Sequence, residues 1–172
     1  MKRSLSSLVV HHDALRSIFR ETSFFWDQEY LDLDGNYYDL LEYDLSLDTD
    51  WESSLWSYSS DLQSSINISE GPLFKVGLFR CKDGDRLLLV IHHLIVDGVS
   101  WRILLEDLSG LYDHYCNGVS FSLGAKTDSF ASWTRALQSY AESHILLSEG
   151  PYWSDVVCRE VDTVVGLSLI HI

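Results

Sequence analysis

Apolar residues along this chain change their spacing several times, and each change marks an element. Leu5, Leu8 and Val9 repeat at helical spacing and read as the end of a helix. It gives way at His11-His12-Asp13-Ala14-Leu15-Arg16 to a strand-like Ile18-Phe19-Arg20. From Tyr37 to Leu47 strand formers alternate with acids. Thr49-Asp50-Trp51-Glu52 fits a capping box, in which a Thr and a Glu three residues later satisfy free backbone N–H groups at a helix start. Behind it Trp51, Leu55, Tyr58, Leu62 and Ile66 predict one amphipathic helix to about Asn67, ended by Glu70-Gly71-Pro72.

The period then shortens. Phe74, Val76 and Leu78 alternate with Lys75, Gly77 and Phe79, and Asp83-Gly84 is a favoured hairpin turn. The returning strand, Leu87 to His93, is apolar until its histidines, which predicts burial on both faces and a central place in its sheet. After Asp97-Gly98 the helical period resumes, with Trp101, Leu104, Leu105, Leu108, Leu111, Tyr112 and Tyr115 on one face and Arg102, Glu106, Asp107 and Asp113 mostly on the other. Ser100 suits the N-cap and Asn117-Gly118 the stop. A further helix is expected from about Asp128, burying Phe130, Trp133, Leu137, Tyr140 and Ala141, and Pro151 starts a last short one with Tyr152, Trp153 and Val156. Strands mixed with amphipathic helices make an α/β layered domain. The apolar run from Val164 to Ile172 lacks turn chemistry and a polar tail, so the chain is expected to be a fragment whose last residues, 166–172, are not native to it.

Composition narrows the partners. A formal net charge of −14 argues against a nucleic-acid backbone and an anionic lipid surface, both of which demand a basic face. The apolar run Leu87 to Val96 is shorter than the about 20 residues of a membrane span, and nothing resembles a complete secretory signal. Cys81, Cys116 and Cys158 are scattered, with no C-x-x-C pair, which fits reduced thiols in the cytoplasm.

Candidate chemistry centres on His92-His93-Leu94-Ile95-Val96-Asp97-Gly98. On a continuing strand His92 and His93 point to opposite faces, so one serves a site and the other packs or hydrogen-bonds. The end of a strand leading into a helix is a rigid platform for catalysis. Imidazole changes charge near neutrality and can act as a general base. Asp97 is expected to hold the loop by hydrogen bonds or to pair with an arginine, and Gly98 to permit a positive φ at a tight reversal. Neighbouring histidines on a regular strand cannot both reach one ion, so no metal is expected here. No G-x-S-x-G, Walker-type or G-x-G-x-x-G pattern accompanies the loop. His11-His12-Asp13 reads as a helix-to-strand junction, with Leu15 packing and Arg16 seeking a carboxylate. Asp32, Asp34, Asp39, Glu42, Asp44, Asp48 and Asp50 read as a solvated face.

On these residues the chain resembles the condensation-domain superfamily of nonribosomal peptide synthetases. Its signature H-H-x-x-x-D-G is matched by His92 to Gly98. His11-His12-Asp13-Ala14-Leu15-Arg16 looks like the family's early motif, Gly71-Pro72-Leu73-Phe74 like the segment entering the strand before the signature, and Trp133 and Tyr152-Trp153 like its aromatic landmarks. Asp97-Gly98-Val99-Ser100-Trp101-Arg102-Ile103-Leu104 looks most like the epimerization branch. The resemblance implies a chloramphenicol-acetyltransferase-like two-layer sandwich, with residues 1–165 as the N-terminal half of a pseudo-dimeric domain whose halves face each other across a tunnel. It implies that His93 carries the proton chemistry, that His92, Asp97 and Gly98 shape the loop, and that Asp97 pairs with an arginine. It implies a substrate delivered on the phosphopantetheine arm of a carrier protein, no cofactor or metal bound by the domain, and, as partners, that carrier and the C-terminal half. Three readings stay open: epimerization of a carrier-bound aminoacyl or peptidyl thioester, condensation of carrier-bound acyl groups, and a non-catalytic carrier-docking module.

Overall fold

The computed structural model describes residues 1–33 and 35–158, so Asp34 and the whole run from Val164, including the expected tail, lie outside the described residues. It divides into two compact units, Met1–Thr127 and the residues from Asp128 on.

The first unit begins with helix α1 (Lys2–His11), a 3-10 turn (Asp13–Arg16) and an antiparallel hairpin of β1 (Ser17–Glu21) and β2 (Trp26–Tyr30). Strand β3 (Asp39–Asp44), helix α2 (Trp51–Ser64), strands β4 (Phe74–Cys81) and β5 (Gly84–Ile91) and helix α3 (Gly98–Asn117) follow. β2 has no counterpart in the sequence pattern, because Trp26–Tyr30 is exposed along most of its length and shows no apolar alternation.

The principal sheet has the order β3-β4-β5. Among the described residues β4 is therefore its centre, and β5, expected there from its apolar run, lies at an edge of that sheet. β3 returns parallel to β4 and takes its other side, while β5 pairs antiparallel. Side chains of β4 alternate between two cores. Phe74 and Val76 join Leu5, Leu8 and Val9 of α1 and Leu104, Leu108 and Leu111 of α3. Phe79 and Cys81 join Leu45, with Trp51 and Leu55 of α2 packed against them. Gly77 lies under α2: a Cβ there would come within 3.4 Å of Leu62 and 2.7 Å of the Phe79 ring.

Several local expectations are corrected. The capping box does not form: Asp50 is the N-cap of α2 and makes no side-chain cap bond. Asp48 does that work instead, accepting from the Asp50 N–H at 2.8 Å and the Ser54 hydroxyl at 2.6 Å. α2 stops at Ser64, short of Asn67, whose side-chain oxygen accepts from the N–H groups of Ser69 and Glu70. Cys81 pairs with Gly84, so the hairpin turns on Lys82-Asp83 rather than Asp83-Gly84. The acids are not all solvated: Asp39 holds the ammonium of buried Lys75 at 3.1 Å on the neighbouring strand. Among the described residues Arg16 pairs with no carboxylate and donates to the carbonyls of Val9 and Leu31. α3 ends as expected at Gly118, in the left-handed conformation that glycine adopts without strain. On its apolar face Leu105 and Tyr112 remain 50% and 41% exposed, while Asp107 from the polar set turns inward toward α1.

The second unit holds α4 (Phe130–Ala141), α5 (His144–Ser148), which the sequence pattern does not reveal, and α6 (Gly150–Cys158). Ser129 and Ser143 cap α4 and α5 by accepting from the N–H groups of Ser132 and Leu146. The stripe expected to be buried on α4 is exposed, with Trp133 at 57% and Phe130 at 51%. Short consecutive helices offer one another too little apolar surface to cover it.

Candidate active site

The signature loop is built by three neighbouring devices. β5 ends at Ile91, one residue before the histidines, so the alternation expected of a continuing strand does not govern them. The chain instead turns, with the Ile95 N–H donating to the His92 carbonyl at 3.0 Å. The His92 N–H donates to the Leu73 carbonyl at 3.0 Å, which fastens the loop to the entrance of β4. Ile95 and Val96, 8% and 5% exposed, anchor its far side in the core shared with α1 and α3.

The two histidines differ because of this turn. Half-buried His92 accepts the Leu94 N–H on Nδ1 at 3.2 Å, so its ring braces the loop. His93 is exposed, and no hydrogen bond holds its ring among the described residues. The different surroundings of the two rings thus come from the turn and not from the strand alternation expected of them.

Asp97, not Ser100, is the N-cap of α3. Its Oδ1 accepts both the backbone N–H and the hydroxyl of Ser100, each at 2.7 Å. The Ser100 N–H, then its hydroxyl, hold the Asp97 carboxyl below the usual carboxylate range, and the charge of His93 acts in the same direction. Among the described residues no arginine pairs with Asp97, so of the two roles expected for it the loop-holding one is present. Gly98 opens α3 with a negative φ, and so does not serve as the positive-φ reversal expected of it. The reversal falls on the His92–Ile95 turn. A Cβ on Gly98 would meet nothing within 4 Å.

The cap makes a pH prediction. A carboxyl lowered in the folded state stabilises above its unfolded pKa of ~3.9, and that contribution is lost as pH falls through the lower folded value. Asn at this position keeps a cap oxygen but loses the charge. The melting temperature of Asp97→Asn is therefore expected to lie below that of the parent chain at pH 5, and the gap to close as melts are taken below about pH 3.9. A gap that persists unchanged at the acid end would refute the ionised cap.

Two hollows lie elsewhere on the first unit. One of about 580 Å³ is lined by Lys2, Leu33, Tyr38 and Leu40 among others, and one of about 460 Å³ by Ser6, Ser7, Val10, His11, Leu123 and Lys126.

Comparison with known proteins identifies the arrangement. The model of the family described as Condensation domain matches residues 1–168. The chain is 44% identical over 152 residues to tyrocidine synthase 1 of Brevibacillus parabrevis, covering 88% of this chain and 14% of that protein. It is 40% identical over 151 residues to gramicidin S synthase 1 of Brevibacillus brevis, again covering 88% of this chain and 14% of that protein. Among solved structures, the epimerization domain from the third module of tyrocidine synthetase B superposes with a TM-score of 0.88 at 40% identity, over 94% of this chain and 37% of that chain. The starter condensation domain of rhizomide synthetase shares the fold at a TM-score of 0.77 and 18% identity, over 94% of this chain and 39% of that one. The chain thus spans much less than two thirds of each relative's length. With its family model matched almost end to end, and with the α/β, chloramphenicol-acetyltransferase-like fold of its structural neighbours, this chain belongs to the condensation domain family of nonribosomal peptide synthetases.

Proposed function

We propose that this chain is the N-terminal part of an epimerization domain, and that His93 moves the α-proton of an aminoacyl or peptidyl thioester held on a carrier protein. The observation that carries the reading is the contrast within the signature: the His92 ring is tied into the loop, while the His93 ring stands exposed at the strand-to-helix junction. Similarity to a solved epimerization domain at 40% identity, against 18% for a starter condensation domain, favours this branch of the family.

The chemistry balances without a redox step. The thioester carbonyl acidifies the Cα–H. The imidazole takes the proton, the electron pair passes into an enolate, and a proton returned to the opposite face of Cα restores the thioester with inverted configuration. The resemblance assigns the opposing acid to a glutamate of the C-terminal half, and no acid of this chain is nominated for it. The substrate arrives on the carrier's phosphopantetheine arm. The domain itself needs no bound cofactor, and its reduced cysteines suit the cytoplasm. Cys81, Cys116 and Cys158 are free, and no described helix is long and apolar enough to cross a membrane.

The test uses the intact domain with a carrier loaded with an L-aminoacyl or peptidyl phosphopantetheine thioester, in deuterated water. Deuterium entering Cα together with a mixture of configurations is the expected result. The 172-residue chain alone is expected to give neither. Peptide-bond formation between two loaded carriers without α-exchange would replace this reading with condensation. Carrier binding with no turnover of either kind would replace it with a docking module.

A further inference from the structure

The early histidine pair acquires a partner that lies far away in the chain. His12 Nε2 stands 2.7 Å from Asp107 Oδ2, and one ligand atom from each of His11, His12 and Asp107 falls within 4.8 Å of the others. We infer that these three side chains form a binding site for a divalent transition-metal ion of the zinc type, joining α1 to α3.

Adjacent histidines converge here because they straddle a helix end. His11 is the last residue of α1, and His12 has left the helix, with φ −95° and ψ 90°. The two rings meet edge to face, with centroids 4.8 Å apart. The frame behind them is rigid, since Leu5, Leu8 and Val9 of α1 share a core with Leu104, Leu108 and Leu111 of α3. All three ligands are half-buried, so desolvation is partial and each remains reachable.

The donor set selects the metal. Two imidazoles and one carboxylate suit zinc, cobalt or nickel, whereas calcium and magnesium demand more oxygen ligands. With metal–ligand bonds of about 2.0–2.1 Å, a tetrahedral site sets its donors about 3.3 Å apart. The His12–Asp107 pair must open slightly and His11 must move in, which side-chain rotation supplies. His11 also lines the hollow of about 460 Å³, so at least that ligand borders open space. Lys126, on the same hollow, is engaged by Asp13 at 3.1 Å, so its charge is partly neutralised. In this position the ion fixes α3, whose first turn carries the Asp97 cap.

The experiment titrates the chelator-treated 172-residue chain with Zn²⁺ by calorimetry, and with Co²⁺ by visible absorption. One equivalent is expected to bind, with the tetrahedral Co²⁺ bands, and to raise the melting temperature by several degrees. His11→Ala and Asp107→Asn are each expected to weaken binding by at least about ten-fold. Asp107→Asn keeps an acceptor for His12 and so removes the anionic ligand with little disturbance of the helix contact. Circular dichroism of each variant without metal verifies its fold. Absence of binding below about 100 μM Zn²⁺ (−5.5 kcal/mol or weaker) would overturn the site. So would stoichiometric binding that both substitutions leave unchanged.

Discussion

His93→Ala in the intact domain is expected to lower the rate of α-proton exchange on a carrier-bound thioester by about 10²–10⁴-fold, the usual contribution of a positioned acid–base group. The loss should fall on turnover, with little change in the concentration of loaded carrier needed for half-maximal rate, because the ring stands at the loop and makes no hydrogen bond that shapes it among the described residues. His92→Ala supplies the contrast. Its Nδ1 accepts the Leu94 N–H, so its removal loosens the turn and acts on rate through geometry. A His92→Ala variant should also lose thermal stability, which His93→Ala should retain. Exchange in His93→Ala within a factor of about three of the parent would leave the imidazole no role as general base.

Phe74→Ala is expected to be the most damaging core substitution, costing about 3–5 kcal/mol. Phe74 is fully buried on the central strand and shares its core with side chains of both α1 and α3. Removing the ring leaves a cavity where several elements meet, and neither helix can close over it without parting from the other. Against a typical total stability of about 5–15 kcal/mol, that loss unfolds a large fraction of the molecules or lowers the urea midpoint severely. Leu87→Ala is the control, since Leu87 lies on β5 and is 38% exposed. Equal midpoint shifts for the two variants would contradict the placement of β4 at the centre of the sheet.

Much of this is legible in the chain itself. The helical stripe behind Trp101, the hairpin of Phe74 to Ile91 and the stop at Gly118 depend on the spacing of near neighbours and on glycine's conformational freedom. That His92 and His93 meet different surroundings is expected from the sequence, although for a reason the structure replaces: a turn sets them apart, not strand alternation. Asp97 as loop holder follows too, but the residue pattern points to Ser100 as the N-cap, because both residue types cap helices and sequence alone does not choose between them. The exposed stripe of α4 shows the same limit, since periodicity reveals an apolar face and not what covers it.

What this sequence settled by itself rests on contacts a few residues long: helices α1 to α4 and α6, the strands of the β4–β5 hairpin and the stop of α3 at Gly118. Which strand is central, which half of an apolar stripe is covered, and the meeting of His11 and His12 with Asp107 were decided only by the tertiary structure. The reason is physical. Local choices are set by backbone sterics and side-chain period, which travel with the chain. Burial and convergence depend on which distant surfaces meet, and the same apolar strand or helix face can be satisfied by many partners.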